Sequence, residues 1–220
     1  MNKQINKYMI GFIAPFLAAA LVFSGCAPPS CTPLDLGDPS ESVAQFVGLM
    51  KQGKYAEAES MLDESVSLDM RQGLAADVPD MITDDILRFL AESYSVEFLD
   101  KPVIKAKEAE ITFRFTSLSI ALLTERLGDM VTKTAFYRMY NNEAKYDTEE
   151  AALELVNDVW KAEFSGDGER LALELPDEPP VVLSEFYTTR DITIKAVYDV
   201  NLGWRLVVNG EFFNALLGKS

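Results

Sequence analysis

Two cysteines and no histidine frame what this 220-residue chain can do chemically. Without imidazole it lacks the usual general base, the Ser-His and Cys-His nucleophile pairs, and the commonest zinc ligand. Proton transfer would fall to Asp, Glu, Tyr, Lys or Arg, as when a buried carboxylate with a raised pKa works beside a phenol. Tyr187, Asp191, Tyr198 and Asp199 lie on or near one expected strand, and Arg114 lies on the polar side of another. Arg114, Tyr187, Asp191 and Tyr198 are therefore the candidate pocket residues; the competing reading puts Tyr198 in the core and the charged groups in water. No residue is assigned a catalytic role. Asp84-Asp85 and Glu149-Glu150 suit helix starts, where the macrodipole favours negative charge. Asp167-Gly168-Glu169 lacks the spacing of a calcium loop, and neither a glycine-rich phosphate loop nor a Gly-x-Ser-x-Gly elbow occurs. No metal and no cofactor are expected.

The strongest chemical signal is the thiol of Cys26. Ahead of it stand a short cationic stretch with Lys3 and Lys7, an apolar run from Met9 to Phe23, and the small residues Ser24 and Gly25. That order is the layout of a secretion signal. The run contains Gly11 and Pro15, and it is shorter than the roughly 18 to 20 residues that span a bilayer as a helix. Phe23-Ser24-Gly25-Cys26 resembles the bacterial lipobox, with Phe23 where leucine is commoner. The resemblance implies cleavage between Gly25 and Cys26 and a diacylglyceryl thioether on Cys26, the lipid-anchor residue. It implies a product at the cell membrane, lipid-anchored on the extracytoplasmic face. The alternative is a secreted protein with Cys26 paired to Cys31. Each buried methylene contributes about 0.8 kcal/mol and two or more chains anchor stably, so departure from the membrane would be slow. Ala27 is not the aspartate that retains lipoproteins at the inner membrane of some two-membraned bacteria.

Residues 27 to 38 are rich in proline and small polar residues and read as a semi-extended tether. The expected organisation is a signal peptide over 1–25, a lipidated tether over 26–38, and a single domain over 39–220. No acid precedes Cys26, so the mature chain keeps all 35 Asp and Glu but only 18 of the 20 Lys and Arg, a formal charge of −17. Such a chain should repel nucleic acid and anionic headgroups. Membrane contact would come from acyl chains on Cys26.

Asp38-Pro39-Ser40-Glu41 signals a helix start, and Val43, Phe46, Val47 and Met50 form one stripe that Gly53 ends. A second short helix runs from Tyr55 to about Leu62. Thr83 caps a third through about Glu92. Val96 to Ile104 and Ile111 to Phe115 then read as two neighbouring antiparallel strands with a turn over Lys105–Ala109. A helical insertion follows over about 119–165, with a capping box at Asp147-Thr148-Glu149-Glu150. A loop holds Pro176, Pro179 and Pro180, with room for a short strand at Leu171, Leu173 and Leu175. The final third is a hairpin, Ile192 to Tyr198 and Trp204 to Val208, turned at Asn201-Leu202-Gly203, and a closing helix Glu211 to Leu217. Helices segregated from an antiparallel sheet mean α+β.

The helical pair Phe46 to Leu62 and the C-terminal Gly203-Trp204-Arg205-Leu206-Val207-Val208, followed by Phe212 and Leu216-Leu217-Gly218, resemble bacterial lipoproteins with a nuclear-transport-factor-2-like (cystatin-like) domain of unknown function. The resemblance implies a curved sheet wrapped over helices around a cone-shaped pocket, which relatives use for small ligands, dimerisation or catalysis. Fold alone does not choose among these. Three readings stay open: a non-enzymatic binding domain for a small ligand or envelope protein, a small pocket enzyme of isomerase or hydratase type, and an envelope-assembly accessory acting as a homodimer.

Overall fold

A computed structural model describes residues 36–63, 68–141, 146–164, 175, 179 and 181–219. The signal peptide, Gly25, Cys26, Cys31, most of the tether and the strand expected near Leu173 lie outside the described residues. Asp38–Ser220 forms a compact unit.

Helix α1 (Pro39–Lys51) begins as its sequence directs. Asp38 is the N-cap, its carboxylate accepting from the Ser40 N–H at 2.8 Å, and Pro39 occupies the first turn. Gly53, at φ +69°, ends it. The Gly53 N–H reaches the Met50 carbonyl and the Lys54 N–H the Leu49 carbonyl, the paired bonds of a Schellman stop. Val43, Phe46, Val47 and Met50 are all buried. Helices α2 (Tyr55–Glu59), α3 (Met70–Leu74) and α4 (Asp80–Ser93) follow. The second helix is shorter than its composition suggests, because residues 61–63 leave the helix to bond the sheet through Leu206. Thr83 is not a cap: it lies inside α4, and its hydroxyl donates to the Pro79 carbonyl at 3.1 Å. Asp84 and Asp85 consequently fall beyond the first turn, where Asp80 is the acidic residue.

The sheet orders its strands β1 (Ser95–Phe98), β3 (Glu108–Leu118), β4 (Tyr187–Asp199), β5 (Gly203–Val207), with β2 (Val103–Lys105) also on β3; every pair is antiparallel and the curved sheet does not close. In place of the two expected strands there are three, because β1 and β2 share one side of β3. Ser95 pairs with Thr116 and Val103 with Glu110, so the register slips by two between them. The slip works as an extended bulge, and it puts Asp100, Lys101 and Pro102 on the sheet edge, residues that discourage edge-to-edge pairing. At the far edge, Leu206 exchanges bonds with Met61 and Asp63.

Alternation sorts the strands into two faces. Ile111, Phe113 and Phe115 on β3, Ile192, Ile194 and Ala196 on β4, and Trp204 and Leu206 on β5 are buried under the helices. Phe212, on the closing helix α7 (Gly210–Leu216), joins that core, its ring 5.9 Å from Phe46 and 5.4 Å from both Phe113 and Phe115. Between β3 and β4 run α5 (Ile120–Tyr140), capped by Ser119, and α6 (Glu149–Phe164), preceded by Thr148, whose hydroxyl accepts from the Ala151 N–H. Among the described residues no helix is long and apolar enough to cross a membrane.

Candidate functional site

Among the described residues, the middle of the sheet's opposite face is built from polar residues in register. Thr116 faces Thr189, Arg114 faces Asp191, Thr112 faces Thr193, and Glu110 faces Lys195. The two threonine pairs bond through their hydroxyls at 3.0 Å. Arg114 donates from Nε to Asp191 Oδ1 at 2.9 Å and from Nη2 to Oδ2 at 3.4 Å, and Nη1 reaches Glu97 of β1 at 3.5 Å. The Asp191 hydrogen bond and charge, with a smaller contribution from Glu97, hold the guanidinium still more firmly protonated. All three side chains stand in water, at 43%, 54% and 69% exposure for Arg114, Asp191 and Glu97. Pairs of this kind add little to stability; they follow from the register of β1, β3 and β4, which brings the three side chains together.

Of the four sequence candidates the fold therefore joins two, Arg114 and Asp191, and adds Glu97. Tyr187 and Tyr198 stand at opposite ends of β4. They are about 36 Å apart at roughly 3.3 Å per residue. Tyr187 is half-buried opposite Leu118; Tyr198 is half-buried on the inner side, its ring 5.3 Å from Trp204 in an edge-on contact. The four do not converge on one pocket.

A groove of about 250 Å³ lies further along the same outer face. It crosses four strands, with Val103 and Lys105 from β2, Glu108 and Glu110 from β3, Lys195 and Val197 from β4, and Val207 from β5. Its floor is the backbone of Ala109 and Ala196, whose small side chains point into the core. Alternation on β4 marks Lys195 as outward-facing, but Lys105, Glu108 and Ala109 fall where the sequence reads a turn. The turn is only residues 106–107, because β2 and β3 pair up to Lys105 and Glu108, and cross-strand register brings the lining together. A second, wider depression lies where Met81 of α4 meets Glu149, Glu150, Leu153, Glu154 and Asn157 of α6.

Two buried polar groups have no signal in the sequence, because both look like ordinary strand and helix residues. Tyr94 is buried, which pushes its phenol pKa far up, and its hydroxyl donates to the Leu216 carbonyl at 2.5 Å. Ser93 Oγ donates to the Leu90 carbonyl and accepts from the Leu118 N–H, both at 2.7 Å. Both tie α4 to the sheet and the C-terminus; neither faces the groove. Among the described residues no group of three or more acidic or cysteine side chains could hold a metal ion.

The chain matches no protein-family model and no curated protein. Among solved structures it is similar to YcdA of Bacillus subtilis subsp. subtilis str. 168, which is provisionally described as a lipoprotein. The two share 18% identity and a TM-score of 0.48 over 83% of this chain and 56% of YcdA, so the chain spans little more than half that protein's length. A likeness at that level carries neither fold nor function from one protein to the other.

Proposed function

We propose that this chain is a bacterial lipoprotein, anchored on the extracytoplasmic face through lipid on Cys26, whose Asp38–Ser220 unit is a non-enzymatic binding domain of the nuclear-transport-factor-2-like type. One observation carries the anchoring: a cysteine placed directly after Ser24-Gly25 and an apolar run too short to be a spanning helix. An antiparallel sheet with helices on one face and, among the described residues, a polar row on the other supports the domain type, and a groove on that second face supports binding. Arg114 and Asp191 saturate each other in water, which favours a recognition surface over an acid–base pair, since a catalytic carboxylate is usually desolvated to raise its pKa. The test is metabolic labelling with a radioactive or clickable fatty acid in a bacterial host. The wild-type chain should take label and lose residues 1–25, and Cys26→Ser should take none. An unlabelled product still starting at Met1 would end the anchoring reading.

A second reading is assembly through a second copy. It is favoured by the last turn of α5, where Phe136, Met139 and Tyr140 are 69%, 52% and 88% exposed, because neighbouring exposed apolar side chains mark association surfaces. Sedimentation of the wild type as a dimer and of a Phe136→Ser, Tyr140→Ser variant as a monomer would support it. A wild type that sediments as a monomer at micromolar concentration would remove it.

A further inference from the structure

The outer face of the sheet treats its charges in two different ways. Over the Arg114–Asp191 row, cation and anion are closed on each other. Over the groove they are open: among the described residues no ion pair or side-chain hydrogen bond engages Lys105, Glu108, Glu110 or Lys195, although Glu110 faces Lys195 and Lys105 faces Glu108 across the strands. Glu108 and Glu110 are alternate residues of β3 and so stand on the same face of the central strand. Their separation along it is roughly 7 Å. Lys105 flanks them from β2 and Lys195 from β4. The result is an anionic middle between two cationic sides. Val103, Val197 and Val207 supply apolar wall between the charges.

An ammonium group set between the two glutamates would relieve their mutual repulsion, and a carboxylate on the same molecule would reach one of the flanking lysines. A pure cation would leave the lysines unanswered, and a pure anion would meet Glu108 and Glu110. The groove volume of about 250 Å³ lies just below the range of drug-sized sites and suits something small. We infer that the β2–β5 groove binds a small zwitterion with an apolar side chain, an amino acid or short peptide, its ammonium held by Glu108 and Glu110 and its carboxylate by Lys105 or Lys195. This rests on reading the unit as a binding domain, and it names the ligand class of that site.

The experiment uses the full chain, purified from the bacterial fraction that holds it, and four versions of one probe. These are L-alanyl-L-valine, its N-acetyl form, its C-amide, and the doubly blocked form. Binding is read by amide chemical-shift changes near neutral pH. The free dipeptide should move the Ala109 and Ala196 amides at millimolar concentration. Each single block should weaken binding by about threefold to fivefold, the loss of one exposed charge pair. Lys195→Gln and Glu110→Gln, both exposed and so without consequence for folding, should weaken it as much. No shift at millimolar dipeptide overturns the inference, as does equal binding of all four probes. Shifts confined to residues elsewhere overturn the groove while leaving the binding reading standing.

Discussion

Single positions carry conformational and hydrogen-bond commitments that can be tested directly. Ala106 sits at φ +56° in the two-residue turn between β2 and β3, a place where the left-handed region favours glycine. Left-handed backbone costs an L-residue about 1–2 kcal/mol, partly offset by the greater freedom of unfolded glycine. Ala106→Gly should therefore raise stability by about 0.5–1 kcal/mol in urea denaturation, and a loss would mean the turn is not as described. Tyr94→Phe keeps the ring against Phe115 but removes the donor to Leu216 inside the core. An unsatisfied buried carbonyl should make it about 1–3 kcal/mol less stable by the same measurement.

Between elements, a polar contact ties the helical insertion to the N-terminal helices. Trp160 of α6 is buried, stacks on Phe164 with centroids 4.5 Å apart, and donates its indole N–H to Asp85 of α4 at 2.9 Å. That bond lowers the Asp85 pKa; partial burial pushes it back up, and the bond and charge of Arg88 lower it further. A carboxylate held lower in the folded than in the unfolded state contributes stability that is present above its unfolded pKa. That contribution disappears as pH falls through the folded value. The stability difference between wild type and Asp85→Asn should thus be constant near neutrality and shrink below pH about 4. A difference that grows on acidification would reverse the assignment. The sequence reads Leu153, Val156 and Trp160 as the inward face of this helix; Trp160 is buried, but Leu153 is exposed and Val156 half-buried, and Leu155 and Val159 share the inward face with Trp160 instead. Asp85 reads as a helix-start charge, but α4 begins at Asp80, and the carboxylate serves the indole instead. Their contact spans two helices far apart in the chain and has no local signature.

At the scale of the molecule, the two ends of the unit close one core. Phe46 near its beginning packs on Phe212 near its end, Phe212 packs in turn on Phe113 and Phe115 in the middle of the sheet, and the Ile120 N–H bonds the Gly218 carbonyl. Phe212→Ala should cost about 3–5 kcal/mol, seen as a lower urea midpoint in a single transition. If the N-terminal helices were to unfold separately from the sheet, two transitions would appear instead.

From composition and spacing alone, the residues exclude imidazole chemistry and give most elements; export and lipidation at Cys26 are expectations drawn from the same spacing. The α1 stripe, the Gly53 stop, the alternation of β3 and β4, and the turn into Gly203 are local properties, written in spacing and in glycine's freedom at positive φ. Tertiary structure alone decided how outward-facing residues of different strands meet. Arg114 and Asp191 are 77 positions apart and become partners only through the β3–β4 register. Glu110 and Lys195 likewise become neighbours across the groove only there. Strand pairing over such distances is set by the summed burial of the opposite face, so a polar residue's own surroundings hold no record of the partner it will be given.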